Sequence, residues 1–492
     1  MKEIRETIIT GKFFIATVLC LILIPLGMYV TKQDYIQRIN DYRHTVQLYQ
    51  QRSEGKVNSM FKAEGYRPPS PLSVFAVGLE PFLPNKAVTS ESRYAFQEAL
   101  GGLVKISNES GLHNPLAALF GKMDYLFNVG FVLSIFALLF TFSCITGERE
   151  MGTLKLIASY PVPKWNILLA KITGNYLVFF LPFLVSFVIG LLILNLSGVF
   201  SMDAAGVSQA IFVIFGVTVL FLFCMFTFGM LLSVSTNHSM TAIVSMLVIW
   251  VVFALVIPKL SPMIAQIIKP VESGQILASK IQNVREDLRN EQLDREDQLF
   301  TDLLGRHGHA VDDYFNNQVV MTDERKRIET EYDGLVGPVR EEYAGKILQA
   351  TVQLQRNHDN ALNEQETVAM QISRLSPICC FTYILTDLAG TGLMEIGNFT
   401  HQAERFQEQV KQTVYDKYVY RQYGAGRRYN MGFWDDNGVQ KKKIPVPGMY
   451  DYRYLTVREV IGDRWVDILL LTLYTLLFFA GAFVRFLRYD VR

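Results

Sequence analysis

Residues 146–171 read Thr-Gly-Glu-Arg-Glu-Met-Gly-Thr-Leu-Lys-Leu-Ile-Ala-Ser-Tyr-Pro-Val-Pro-Lys-Trp-Asn-Ile-Leu-Leu-Ala-Lys. Two strongly apolar stretches flank them, 126–145 and 172–196. A charged, glycine-interrupted segment between two bilayer-length apolar runs must lie at a membrane surface. The spacing predicts one short helix over 147–160. Glu148 and Glu150 fall in its first turn, where acidic groups complement the helix dipole. Met151, Leu154 and Ala158 recur every three or four residues and give it one apolar face. Pro161 and Pro163 end it, and Lys164-Trp165 anchor the next apolar run at the interface. Such a helix, flat beneath the membrane, can seat in a groove on a soluble partner and pass the partner's motion to the spans. The alternative is a surface helix that binds only lipid.

Working outward, the 492 residues are 50% hydrophobic with mean hydropathy +0.20. The apolar residues come in blocks near 13–30, 126–145, 172–196, 210–233, 241–258 and 466–485. Each approaches the ~20 residues that cross a bilayer. The expected fold is mainly α: a polytopic membrane protein with six transmembrane helices. The first block has a basic start at Lys2, Arg5 and Lys12 but no small-x-small site after Val30, so it reads as a retained anchor. A net charge of +1 implies no steering towards nucleic acid. Five cysteines set no disulfide framework, and the neighbours Cys379 and Cys380 are poorly placed to pair with each other.

Lys and Arg cluster at both termini and in 146–171, whereas the short loop 197–209 has none. The positive-inside rule therefore places the termini and 146–171 on the cytoplasmic side of the cell membrane. The expected organisation is a cytoplasmic N-terminus and first span (1–30), an extracytoplasmic segment (31–125), and spans two to five with the cytoplasmic helix (126–258). A second extracytoplasmic segment (259–465) precedes the sixth span and cytoplasmic C-terminus (466–492). In that second segment Leu277, Ile281, Val284 and Leu288 step at heptad-like intervals. So do Tyr343, Ile347, Ala350 and Leu354, continued by Ala361, Val368, Ile372 and Leu375. Two long helices, about 272–304 and 338–375, are expected to form an antiparallel hairpin within an α-rich external domain. Gly305, Gly308, Gly334, Gly337 and Pro338 are read as breakers in the connection.

Residues 420–454, rich in Gly, Pro and aromatics, read as loop and short strand, with a hairpin around Asp435-Asp436-Asn437-Gly438. Phe433, Trp434 and Tyr452 there are candidate cargo or partner contacts, or the core of a small subdomain. Arg67-Pro68-Pro69-Ser70-Pro71 is rigid and extended. The following Val74–Leu79 is expected along the outer membrane surface.

The sequence contains no G-x-x-x-x-G-K-[ST], hence no loop for ATP phosphates. It shows no catalytic constellation, so an enzyme is not expected, and no cofactor is implied. His307-Gly308-His309 with Asp312 and Asp313 is a weak metal pattern that reads as a solvated loop. Lys441-Lys442-Lys443 reads as a solvated charge run. The spans hold almost no ionisable residues, against an ion-coupled carrier. They leave an apolar, aromatic lining suited to amphipathic cargo.

The residues Glu148, Arg149, Glu150, Gly152, Thr153, Leu154, Pro161, Pro163 and Lys171 resemble the cytoplasmic coupling motif of ABC-2 type exporter permeases. Ala170 and Tyr160 depart from that motif. The span layout, with Arg67–Pro71 and Thr386-Asp387-Leu388-Ala389-Gly390-Thr391-Gly392, is similar to a subfamily with large external inserts. The resemblance implies a separate ABC ATPase subunit, contacted through the coupling residues, and a second permease chain, homologous or identical. It implies export of an unidentified substrate; the alternative is mechanical work on an envelope partner through the external helices without transport.

Overall fold

A computed structural model of the chain describes residues 11–53, 62–90, 105–107, 122–158, 162–199, 205–308, 310–311, 322–410, 412, 419–423, 430–434, 440–441 and 452–488. Six helices among them are long and apolar enough to cross a membrane. Span one is the lower part of α1 (Gly11–Ser53), span two α2 (125–141) and span three α5 (Lys164–Leu196). Span four is α6 (Ala205–Ser235), span five α7 (Ser239–Ile268) and span six α12 (Val457–Leu487). Between α2 and α5 lie two short helices, α3 (Thr146–Glu150) and α4 (Thr153–Ala158). The mainly α, six-span architecture expected from the apolar blocks is the one observed.

Span four is the hub. It packs against α12, α2, α10 (Pro377–Leu388), α7 and α5, while α1 lies against α5. Glycines set the closest approaches. A Cβ at Gly229 would sit 2.0 Å from Thr141 Oγ1, and one at Gly190 would sit 2.2 Å from Met28 Sδ. Any side chain there would push α6 off α2, or α5 off α1. Buried hydroxyls inside the bundle satisfy themselves on helix carbonyls, as Thr218 does on Ile214 and Ser186 on Pro182. Tyr125 donates to Thr218 Oγ1 at 2.9 Å.

Spans two and five each contain a π-helical stretch, Asn128–Leu133 and Val252–Val256. Next to each stretch the two spans meet, Trp250 Nε1 donating to Ser134 Oγ at 2.9 Å. A π-turn strands a carbonyl outside the i to i+4 ladder. At Phe253 that oxygen accepts the Ser376 hydroxyl at 2.7 Å.

The two inserts meet beyond the far ends of the spans. The first carries an antiparallel sheet, β1 (Lys62–Tyr66), β2 (Lys86–Ser90) and β3 (Lys105–Ser107). The second opens with the hairpin of α8 (Gly274–Arg306) and α9 (Thr322–Ser373). Glu272 with His358, Glu296 with Arg340 and His307 with Glu331 set an antiparallel register. The short apolar α10 and the amphipathic α11 (Met394–Val410) follow. A second sheet, β4 (Val419–Tyr423), β5 (Asn430–Trp434) and β6 (Gln440–Lys441), has β5 and β6 antiparallel on either side of 435–439.

Three expectations are corrected. The second hairpin helix starts at Thr322, not 338: Gly334, Gly337 and Pro338 lie inside α9. Packing overrides the local break. Ile328 and Val336 are buried and Tyr332 lies against Phe300, while Arg340 grips Glu296 with two nitrogens, at 3.0 and 2.8 Å. Second, Val74–Val77 are not on the membrane surface but in the protein core. Phe75 packs edge-on to Tyr125, with centroids 5.7 Å apart. Third, 147–160 is not one helix. Gly152, at φ +72°, separates α3 from α4, and glycine is the residue that takes this left-handed conformation without strain. Tyr160 and Pro161 lie outside the described residues, as do His309, Asp312, Asp313, Lys442 and Lys443.

Candidate coupling site

The acidic-basic-acidic triplet closes an extension of span two, and each side chain ties it to a different neighbour. Glu148 Oε1 accepts from Lys171 Nζ at 2.6 Å, clasping α3 to span three. The Lys171 side chain is buried at the foot of α5. Arg149 reaches the chain linking spans four and five. Its Nη2 donates to the Val234 carbonyl at 3.2 Å; its Nη1 donates to Asn237 Oδ1 at 3.0 Å and to the Thr236 carbonyl. The two backbone carbonyls lie at and just past the C-terminus of α6, where a cation also complements the helix dipole. Glu150 caps the opposite kind of terminus. It accepts from the Ser239 N–H at 2.9 Å and the Ser239 hydroxyl at 2.7 Å, at the first turn of α7. One triplet thereby joins the ends of spans two, three, four and five on one side of the bundle. Ser233 Oγ reinforces the junction, donating to the Phe142 carbonyl at 3.0 Å and accepting the Ile145 N–H at 3.2 Å.

With the triplet committed to these contacts, the outward surface of the segment presents apolar side chains beside the exposed Lys155. Leu154 is turned inside at 1% exposure, whereas Met151 and Leu156 are 72% and 64% exposed. The predicted face of Met151, Leu154 and Ala158 is thus divided. The turn at Gly152 rotates α4 relative to α3, so Leu154 anchors the segment and Met151 and Leu156 form the ridge. Gly152 and Thr153 are exposed between them, with Thr153 Oγ1 donating to the Glu148 carbonyl at 3.3 Å. Pro163 directly precedes α5, and Trp165 is half exposed on its first turn.

At the other end of the bundle a collar of buried ion pairs, absent from the sequence reading, holds both inserts to the spans. Arg374, closing α9, forks onto Asp467 of span six at 2.7 and 2.9 Å. Asp467 is fully buried. Arg464 donates to Asp387 at the end of α10. The two stretches likened to the insert-bearing subfamily approach here at Ser70 and Gly390, where a Cβ on Gly390 would lie 3.2 Å from Ser70 Oγ, and the chain around each binds the other's surroundings. The Leu79 N–H donates to the Thr391 carbonyl at 2.9 Å, Thr391 Oγ1 donates to the Ala76 carbonyl at 2.9 Å, and Tyr454 donates to the Pro68 carbonyl. Gly78 (φ +46°) and Gly392 allow this contact. A Cβ on Gly392 would lie 1.9 Å from Asp387 Oδ1. Arg67 pairs with Glu80 at 3.0 Å, and Arg38 of α1 reaches the same carboxylate at 3.1 Å. Burial pushes the Glu395 carboxyl up to about 7, where it accepts from Tyr452. Tyr452 is therefore engaged inside the collar. The backbone of Phe433 and Trp434 lies in β5, paired with Tyr420 and Val419. His307 pairs with Glu331 across the hairpin at 3.2 Å. No group of three metal-ligating side chains occurs among the described residues.

Six apolar spans, four of them joined at one end by a polar clasp, define a multi-pass membrane protein. The family model of the ABC-2 family transporter proteins matches residues 1–491, so the chain belongs to that family. A curated relative, the probable ABC transporter permease protein NosY of Stutzerimonas stutzeri, is 40% identical over 57 residues. That match covers 12% of this chain and 21% of the relative.

Proposed function

We propose that this chain is the membrane-spanning permease subunit of an ABC exporter, driven by a separate ATPase and working as a pair of permease chains. The observation that carries this is the inner clasp. Glu148, Arg149 and Glu150 tie four span ends to one short segment, and that segment presents Met151 and Leu156 outward. A lever needs this division: a rigid attachment to what moves and a free apolar ridge for what pushes. The family membership and the short stretch shared with a permease support the reading. The ridge seats in a groove of the ATPase on the cytoplasmic side, and both inserts lie outside. Cargo is amphipathic, since the bundle interior offers aromatic and hydroxyl groups with few charges. The test is purification from native membranes: a P-loop ATPase should co-purify with the wild type and be lost from Leu156→Asp. Equal recovery with both would refute the coupling role.

A second reading, mechanical work on an envelope partner without transport, draws on one feature. The hairpin is rooted on two spans, through Lys269 with Glu364 at 2.8 Å and Arg374 with Asp467. Replacing 284–350 by a short Gly-Ser linker spares both roots. Retained efflux would set the mechanical reading aside, and lost envelope function with intact efflux would favour it.

A further inference from the structure

The six spans do not pack evenly. Tight helix pairs in a membrane form where small residues let backbones approach. Span one lies along span three in this way, with Gly190 against Met28. Span four packs as closely on spans two and six, with Gly229 against Thr141 and Gly481 against Leu231. Between span three and this second group the backbones come within 8 Å at few points. Rings fill the space instead. Tyr176 of span three meets Phe223 of span four with centroids 5.0 Å apart, and Phe183 and Phe187 meet Phe215 at 6.2 and 5.1 Å. Gly216, beside Phe215, has nothing within 4 Å of where a Cβ would stand. Tyr176 Oη also donates to the Val219 carbonyl at 3.0 Å, and interhelical hydrogen bonds inside a membrane are individually weak.

Polar contacts tie the two groups differently at the two ends. Towards the collar, span one is pinned by buried groups. Thr31 Oγ1 donates to the Val74 carbonyl at 2.8 Å, and Asn128 Nδ2 of span two donates to the Leu23 carbonyl at 2.9 Å. A Cβ at Gly27 would sit 2.5 Å from Asn128 Nδ2, so the two spans touch there. At the clasp, span three is held by Lys171 on Glu148, in the segment that carries the ridge.

We infer that spans one and three form one lever, pivoting near the collar on Thr31 and Asn128 and driven at the clasp through Lys171, with the aromatic seam between spans three and four as the surface that parts. The inference rests on the coupling role proposed above. Ring pairs accept offset and edge-on arrangements alike, so the seam can be rearranged contact by contact. Approaches set by glycine have no such latitude, because a close-packed interface cannot deform continuously, and they keep span three on span one. Gly190, level with Met28 and near the pivot, lies nineteen residues from Lys171, about 28 Å of helix. A shift at the clasp therefore opens the seam more at Tyr176 than at Phe187.

The test measures distances between spin labels on the full chain, purified with its ATPase, without nucleotide and after trapping with ATP and vanadate. The labels go on introduced cysteines at exposed positions, the native five being buried or half-buried. Thr173→Cys with Ser235→Cys spans the seam at the clasp end, and Leu192→Cys with Phe212→Cys spans it at the collar end. Phe14→Cys with Thr173→Cys lies within the lever. The first distance should change by several ångströms on trapping, and the other two should hold. A change within the lever as large as that across the clasp end, or a change at the collar end alone, would overturn the pivot. So would three fixed distances in a complex that hydrolyses ATP, with the coupling role left standing. If no ATPase accompanies the chain, the coupling role fails and the lever with it.

Discussion

The two ends of the span bundle are held by opposite kinds of polar contact. At one end the clasp is shallow: Glu150 is exposed, Glu148 and Arg149 are half-buried, and several partners are backbone groups at helix ends. At the collar end Asp467, Asp387, Arg464 and Arg67 are nearly fully buried, and the pairs interlock four separate stretches of chain. Exposed pairs are worth little and can be remade; a buried pair cannot lose one member without leaving a stranded charge. The clasp end is therefore suited to being worked, and the collar end to carrying the inserts as one body with the spans they join.

The largest effect should follow from breaking the collar. Asp467→Ala strands Arg374 and one side of Arg464, and a buried pair broken this way costs about 3–5 kcal/mol. Thermal unfolding in detergent should show a marked drop in midpoint. If Asp467→Ala melted like Glu150→Gln, the contrast between the two ends would fail.

Next in size is the pH dependence of the collar. Glu395 titrates near 7 in the folded protein because burial disfavours its charged form. Below the ordinary range near 4.5 the carboxyl is protonated whether the collar is docked or not. Between about 4.5 and 7 only the undocked form releases the proton, so collar stability falls as pH rises and levels off above 7. The full span is on the order of 3 kcal/mol. Glu395→Gln should flatten this profile between pH 5 and 7, as read by protease resistance of the inserts. An unchanged slope would assign the dependence elsewhere.

A smaller effect is expected at the clasp. A double-mutant cycle of Glu148→Gln and Lys171→Met should give a coupling of about 1–3 kcal/mol, typical of a charge-assisted hydrogen bond with one partner buried. Additive single effects would mean that the clasp does not hold span three.

How legible these regions were follows from the separation of their parts. The clasp segment stood out in the sequence because its charges and glycine sit within nine residues, Glu148 to Leu156, between two apolar blocks. What the reading missed there was direction. Periodicity put Met151 and Leu154 on one face, but Gly152 in the left-handed region turned them apart, and a glycine's φ is not written in its neighbours. The partners of Arg149 and Glu150, at 234–239, lie some 85 residues on in an uncharged loop that gave no signal. The collar was illegible for the same reason, enlarged. Arg67 faces Glu80, but Asp387 needs Arg464 and Arg374 needs Asp467, pairs 77 and 93 residues apart. Its one trace was the pair of stretches, 67–71 and 386–392, noticed separately and found to approach each other at Ser70 and Gly390. The six spans were plain because length and apolarity are local properties. Pro338 misled because a strong local breaker was outweighed by packing against α8.

The smallest effect on the fold, and the largest on function, should come from the ridge. Met151→Asp and Leu156→Asp remove no described hydrogen bond and should leave the melting midpoint within about 0.5 kcal/mol of wild type, as for surface substitutions generally. The measurement that bears most directly on the central claim is site-specific photo-cross-linking in native membranes, with the reactive group at Met151, at Leu156 and, for comparison, at Leu181 on the apolar surface of span three. The account predicts an ABC ATPase covalently attached at Met151 and Leu156 and none at Leu181. Lipid adducts alone at Met151 and Leu156, with no ATPase at either, would contradict it.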